Sequence, residues 1–402
     1  MKLPLGSKRV VLLFFLFISC GERKPGTPSS DIPVAGTFAY DVAFMRAHKN
    51  VFVLGTSASL AKVLVAGDYQ ARVMTSTAGG ENGNSYGWIN YAFIESGKTS
   101  AHMNPYGGED RFWLGPEGGQ YAIFFKKGDE FDYAHWQTPA VIDTEHFDLV
   151  SSDSLQATFR KSSTLTNFKG TTFQIDIHRK IRLLSAEEVE EQFNLPVMNL
   201  KMVSFESNNA ITNKGDVSWT KREGLLSIWI LGMFAPSPEA VVILPHKKPG
   251  EGGGVTDNYF GIIPAERLVK SDSFLIMKGD GKYRGKVGIA PTVAHNIIGS
   301  YDPGRHLLTL VKFDLDEKGE YVNSKWEIQK QPYGGDAVNA YNDGSSFYEL
   351  ESSSPAKELK PGESIAHRHI TLHIEGNEDE LNVVAERVLG VSLTRIKIAF
   401  QQ

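Results

Sequence analysis

Cys20 is the only cysteine among 402 residues, so no intrachain disulfide can form and no thiol chemistry is available downstream of it. Cationic excess is also missing. Lys and Arg total 42 against 47 Asp and Glu, a net charge of −5, and no stretch gathers the basic face that nucleic-acid binding needs. The one marked apolar run, Val10 to Ile18, falls short of the roughly 20 residues needed to span a bilayer. Stability must therefore come from core burial, and a chain of this length can bury a large core.

The same apolar run acquires meaning from its flanks. Lys8 and Arg9 precede it, and Phe17-Ile18-Ser19-Cys20 follows the order of a signal peptide with a small residue before the cleavage point. A cysteine there resembles the bacterial lipobox. This predicts removal of residues 1–19, lipidation of Cys20 and attachment to the cell envelope through that lipid alone. An ordinary secretory signal with an incidental cysteine is the alternative. Gly21 is not the Asp of inner-membrane retention, so the outer membrane is the expected destination. Residues 20–33 are polar and rich in Pro, Gly and Ser, a flexible linker before a domain at 34–402.

That domain reads as mostly β. Apolar and β-branched runs at 50–54, 71–76, 120–125, 155–160, 172–181, 226–231, 241–244 and 306–313 are separated by Gly, Asn and Asp clusters. Two helices stand out. One starts at the capping-box pattern Ser185-Ala-Glu-Glu188 and ends near Phe193. The other runs from Asn377 to Leu389, with an apolar face and Gly390 as its C-terminal stop. A last strand is expected at 392–400. The class is all-β, a large antiparallel sandwich with two short peripheral helices.

Three constellations can carry chemistry. In Phe347-Tyr-Glu-Leu-Glu351, strand periodicity puts Glu349 and Glu351 on one face, where mutual repulsion raises at least one pKa and suits proton transfer. A solvated sheet face is the plain alternative. The preceding loop, 333–344, offers Asn339 and Asn342 to sugar hydroxyls. In His367-Arg-His-Ile-Thr-Leu-His373, the three histidines share one face and Ile370, Leu372 and Ile374 the other, which is expected to face the core. The imidazole face is either solvated, a proton-transfer site through His367, or a divalent-metal site through His367, His369 and His373. Around the glycines of 107–119, Arg111 suits a two-pronged contact with a sugar carboxylate or sulfate, and Trp113 and Trp136 suit ring stacking. Glu117 and Glu351 join them as substrate contacts. His102, Tyr106 and His135 lie close by in sequence and complete a candidate reacting cluster; His295 stays unassigned. A structural hairpin is the alternative for this segment.

The strings Arg111-Phe-Trp-Leu-Gly-Pro-Glu-Gly-Gly119, Phe347-Tyr-Glu-Leu-Glu-Ser-Ser-Ser-Pro-Ala356 and Leu359-Lys-Pro-Gly-Glu-Ser-Ile-Ala-His-Arg-His369 resemble the galactose mutarotase-like superfamily, within a group of exported bacterial proteins. The resemblance implies a β-supersandwich with a carbohydrate cleft on a concave sheet face. It also implies one of several activities, because aldose epimerases and polysaccharide lyases share the fold. The superfamily's epimerases use a histidine and a glutamate, and the histidine motif is not located here. The leading expectation is β-elimination on a uronic-acid oligosaccharide, by a lyase or dehydratase, with no cofactor required. His102, Tyr106, Arg111 and His135 would react, and Glu349 and His367 come second. An epimerase-like sugar isomerase and a non-catalytic glycan-binding protein are the alternatives.

Overall fold

Alternation of apolar and polar residues along the strands is resolved, in the computed structural model, into two antiparallel sheets packed face to face. The structure describes residues 33–196, 200–250 and 254–401. The segment expected to be a signal peptide, Cys20 and all of the linker but Pro33 lie outside them. Pro33–Gln402 clusters as one compact unit.

Among the described residues the larger sheet has ten strands. Its central member, Ser364–Glu375, lies between Leu307–Phe313 and Lys201–Asn213. The smaller sheet has six, in the order Val255–Thr256, Gly285–Ile289, Val338–Asn342, Tyr348–Ser353, Ser227–Phe234 and Arg111–Gly115. A three-stranded sheet, Val51–Leu54, Lys62–Ala66 and Arg72–Thr77, accompanies them.

Register on the six-stranded sheet explains the layout. Glu351 faces Leu231 on one side and Asn339 on the other, while Arg111 pairs with Leu231. Successive side chains point to opposite faces. Phe112, Leu114, Ile228 and Ile230 therefore point inward to a core shared with Ile177, Phe205 and Ile211 of the larger sheet. Arg111, Trp113, Trp229, Glu349 and Glu351 point outward together.

The two expected helices form with their caps. Ala186–Phe193 carries the reciprocal Ser185–Glu188 capping box, and Glu378–Leu389 carries that of Asn377 and Glu380. Leu381, Val384, Ala385 and Leu389 cover Ile370, Leu372 and Ile374, the apolar side of the central strand.

Three expectations are corrected. Residues 392–400 hold a helix, Leu393–Lys397, because Ser392 accepts from the Arg395 amide as an N-cap and Leu393 and Ile396 fall on one buried side. The run 120–125 is turn and bend, its apolar rings filling the core without pairing. Two further helices, Phe38–His48 and Tyr91–Glu95, begin at the caps Thr37 and Asn90. In the first, Phe38, Val42 and Met45 make a buried helical stripe that joins the apolar cluster under the three-stranded sheet.

Candidate functional site

The outward face of the six-stranded sheet floors a cleft of about 1060 Å³. Five strands contribute to it at alternate positions: Arg111 and Trp113; Ser227, Trp229 and Leu231; Lys286; Asn339 and Tyr341; Glu349, Glu351 and Ser353; Phe347 adds to it just before the last of these strands. Loops wall it with Tyr133 and Trp136, with Tyr259 and Phe260, and with Trp326.

Two buried carboxyl groups lie at its centre, each tied to a cation. Arg111 Nη2 donates to Glu349 Oε1 at 2.8 Å, and the guanidinium lies over the Trp113 ring at 4.2 Å. Lys286 Nζ and Trp229 Nε1 both donate to Glu351 Oε2, at 2.8 and 2.9 Å. The Lys286 ammonium also lies 4.6 Å from the Trp229 ring centroid, so cation, carboxylate and indole brace one another. Burial, opposed by Arg111 and reinforced by Glu351, pushes the Glu349 carboxyl up to about 8. It is therefore mainly protonated at neutral pH. The other oxygen of Glu351, Oε1, is buried with no partner. Arg111 Nε, Trp113 Nε1, Trp136 Nε1 and Ser227 Oγ are in the same condition along the same walls. Buried polar atoms cost free energy unless paired, and these belong to side chains that line the cleft.

A second cluster lies beyond Lys286. Tyr259 Oη donates to Asp336 Oδ2 at 2.6 Å, and Asn339 Nδ2 reaches Tyr259 Oη at 3.4 Å. Burial raises the Asp336 carboxyl and the Tyr259 phenol, holding both toward their neutral forms. Gly288 makes the cluster possible, since a Cβ there would lie 2.2 Å from Asp336 Oδ2 and 2.5 Å from Asn339 Nδ2. Glu117 is raised by burial as well, against the opposing pull of Lys286.

The cleft gathers Arg111, Trp113, Glu117, Trp136, Asn339, Glu349 and Glu351 from the expected set. The remainder lie elsewhere, for identifiable reasons. His367 and His369 point between the sheets, where Ser352 Oγ meets His367 Nε2 and His369 Nδ1 at 2.8 Å each. Burial drives His367 down to about 3 and His369 to about 4, so both are neutral. His373 bonds instead to Thr309 and Glu109, inside the fold. The imidazole face is thus neither solvated nor open to substrate. Among the described residues no three His, Cys, Asp or Glu side chains converge as metal ligands.

Tyr106 stacks on Tyr69 at 3.9 Å in a separate apolar cluster. Asn342 holds a turn, accepting from the Gly281 amide and donating to the Tyr283 carbonyl. His135 is exposed and paired with Asp132. His102 is bonded to the Trp136 carbonyl behind Tyr133. Among the described residues, no histidine lines the cleft. Sequence reasoning missed Trp229, Tyr259, Lys286 and Asp336. The alternation in Arg284-Gly-Lys-Val-Gly-Ile289 was the available signal for Lys286.

Residues 36–400 match the model of a family described as a "Family of unknown function (DUF6786)". No protein of curated function matches the chain in sequence. Among solved structures, the Slr1438 protein of Synechocystis sp. PCC 6803 aligns with TM-score 0.50 and 12% identity, over 82% of this chain and 96% of that one. A candidate aldose 1-epimerase from Escherichia coli K12 aligns with TM-score 0.50 and 11% identity, over 82% and 99%. The fold is galactose mutarotase-like.

Proposed function

The chain belongs to DUF6786, a family of unknown function, and on that premise we propose that its cleft binds a carbohydrate and moves protons at the sugar's anomeric centre. The observation that carries this reading is the pair Glu349 and Glu351, two residues apart on one strand and facing one cleft, the first held toward its neutral form by burial and the second paired with Lys286 and Trp229. Glu351, steadied by Lys286 and Trp229 and with a free oxygen, takes the proton of the anomeric hydroxyl. The bond from C1 to the ring oxygen breaks, and Glu349 delivers its proton to that oxygen. The open aldehyde turns about C1–C2 and recloses by the reverse steps as either anomer. An acidic carboxyl thereby does the work for which no histidine lines the cleft among the described residues. The Escherichia coli neighbour, a candidate aldose 1-epimerase, fits this class of reaction.

The test is anomer exchange of aldoses by NMR. Wild type should speed equilibration, and Glu351→Gln should lose about 10²–10⁴-fold of that rate, the usual worth of a positioned acid or base. No acceleration across a panel of aldoses would contradict the reading.

β-Elimination on a uronate is the second reading, favoured by one observation. Arg111, with Glu349 held toward neutrality, has charge to lend to a uronate carboxylate and its enolate. Glu351 would take the C5 proton, the C4–O bond would break, and Glu349 would protonate the departing oxygen. The ultraviolet absorbance of an unsaturated uronate separates the two schemes. Neither calls on a cofactor. The site of action proposed is the cell envelope, with Cys20 carrying the lipid; a Cys20→Ser chain that still partitions with membranes would contradict this.

A further inference from the structure

Four cations line the cleft, and they are not equivalent. Arg111 and Lys286 are paired with Glu349 and Glu351. Arg284 and Lys325 line the same cleft, and among the described residues neither has a carboxylate partner within ion-pair distance. Arg284 lies across Phe260, its guanidinium carbon 4.0 Å from the ring centroid, and spends only Nε on the protein, at 3.3 Å from Tyr341 Oη. Its two terminal nitrogens stay available as a fork. Lys325 Nζ is 6.0 Å from the centroid of Tyr259, and Lys286 Nζ is 5.5 Å from the same centroid. The positive groups thus surround the loop that carries Tyr259 and Phe260.

Acidic groups border this corner, and their state matters. Glu117 and Asp336 are half-buried, and burial holds each toward its neutral form. Asp343 accepts from Tyr341 Oη. None of them is paired with Arg284 or Lys325. A guanidinium over an aromatic ring, with an ammonium nearby in a walled cleft, is a recognition surface for an oxyanion. Position adds a constraint. Arg284 immediately precedes Gly285–Ile289, which is two strand spacings from Tyr348–Ser353, or about 10 Å. An anion held there sits roughly a sugar ring or two away from the reacting carboxyls.

Resting on the carbohydrate reading, we infer that Arg284 and Lys325 form an anion subsite, and that the substrate is a sugar bearing a carboxylate, sulfate or phosphate remote from the reacting carbon. The three sources share one chemistry, and a binding panel tells them apart. The probes are galactose, galacturonate, galactose 6-sulfate and galactose 6-phosphate, titrated calorimetrically against the full domain.

At least one charged sugar should bind ten times more tightly than galactose, weakening as salt is raised. The Arg284→Ala/Lys325→Ala double variant should bring that ratio close to one. Both side chains sit outside the core, and an unchanged thermal melt verifies that the variant folds. Equal binding of all four sugars by wild type, with anomer exchange of galactose intact, would overturn the subsite and leave the carbohydrate reading standing. A charged-sugar preference that survives the double variant would also overturn the subsite. No binding and no exchange with any sugar would overturn both.

Discussion

Arg111 and Glu349 lie 238 positions apart in sequence and meet at 2.8 Å, each almost wholly buried. The contact joins the edge strand of the six-stranded sheet to a strand two places in, diagonally across Ser227–Phe234. The pair is held below full ionisation, because burial outweighs what Arg111 returns to the carboxyl.

Glu349 therefore sets a pH signature on stability. Its pKa is raised in the folded chain to about 8, so the native state holds this proton longer than the unfolded chain does. Its stabilising contribution is complete at low pH and is lost as pH rises from about 4.5 toward 8, with a slope of up to about 1.4 kcal/mol per pH unit. Denaturant melts at pH 5 to 8.5 should show this decline, and Glu349→Gln should flatten it.

His367 and His369 act in the opposite sense. Their pKa values are depressed in the fold, so below about 6.5 the unfolded chain takes protons that the native state refuses. Stability from these two groups is present above that pH and disappears toward pH 4. An acid titration followed by circular dichroism should unfold wild type earlier than His369→Gln, provided the glutamine keeps its bond to Ser352.

Lys286 supports Glu351 alongside Trp229. Replacing it with Met leaves a buried carboxylate short of a partner, which costs on the order of 1–3 kcal/mol. Activity, read as anomer exchange by NMR, should fall by at least tenfold. A rate within twofold of wild type would separate Lys286 from the base.

Gly288 gives way to the Tyr259–Asp336–Asn339 cluster. Gly288→Ala would drive its methyl into Asp336 and Asn339, at an overpacking cost of about 1–3 kcal/mol. Sugar binding, read by calorimetry, should weaken by more than with the same substitution at the exposed Gly250, where a Cβ meets nothing within 4 Å.

Local signals carried much of the fold. Capping boxes at Ser185 and Asn377 specify two helices through contacts within four residues, and the period of two at 347–351 set the facing of both glutamates correctly. Faces were legible, but what covers a face was not. The side of the central strand carrying Ile370 and Leu372 packs under a helix, as its apolar pattern suggests, yet its histidine side is buried too, by a second sheet. Only long-range pairing decides that. Lys286 and Trp229 escaped notice because their meaning lies in Glu351, 65 and 122 positions away. His102, Tyr106 and His135 drew attention by nearness to Arg111 in sequence, which says little about nearness in a sheet.

The central claim is that Glu349 and Glu351 divide acid and base roles at one sugar. Anomer exchange measured by two-dimensional NMR, across pH 5 to 9.5 and for wild type, Glu349→Gln and Glu351→Gln, tests it most directly. The account predicts a bell-shaped rate whose upper limb falls near pH 8 in wild type, vanishes as a feature in Glu349→Gln, and sits on a rate at least a hundredfold above that of Glu351→Gln. A rate unchanged by either substitution, or an upper limb that persists without Glu349, would contradict it.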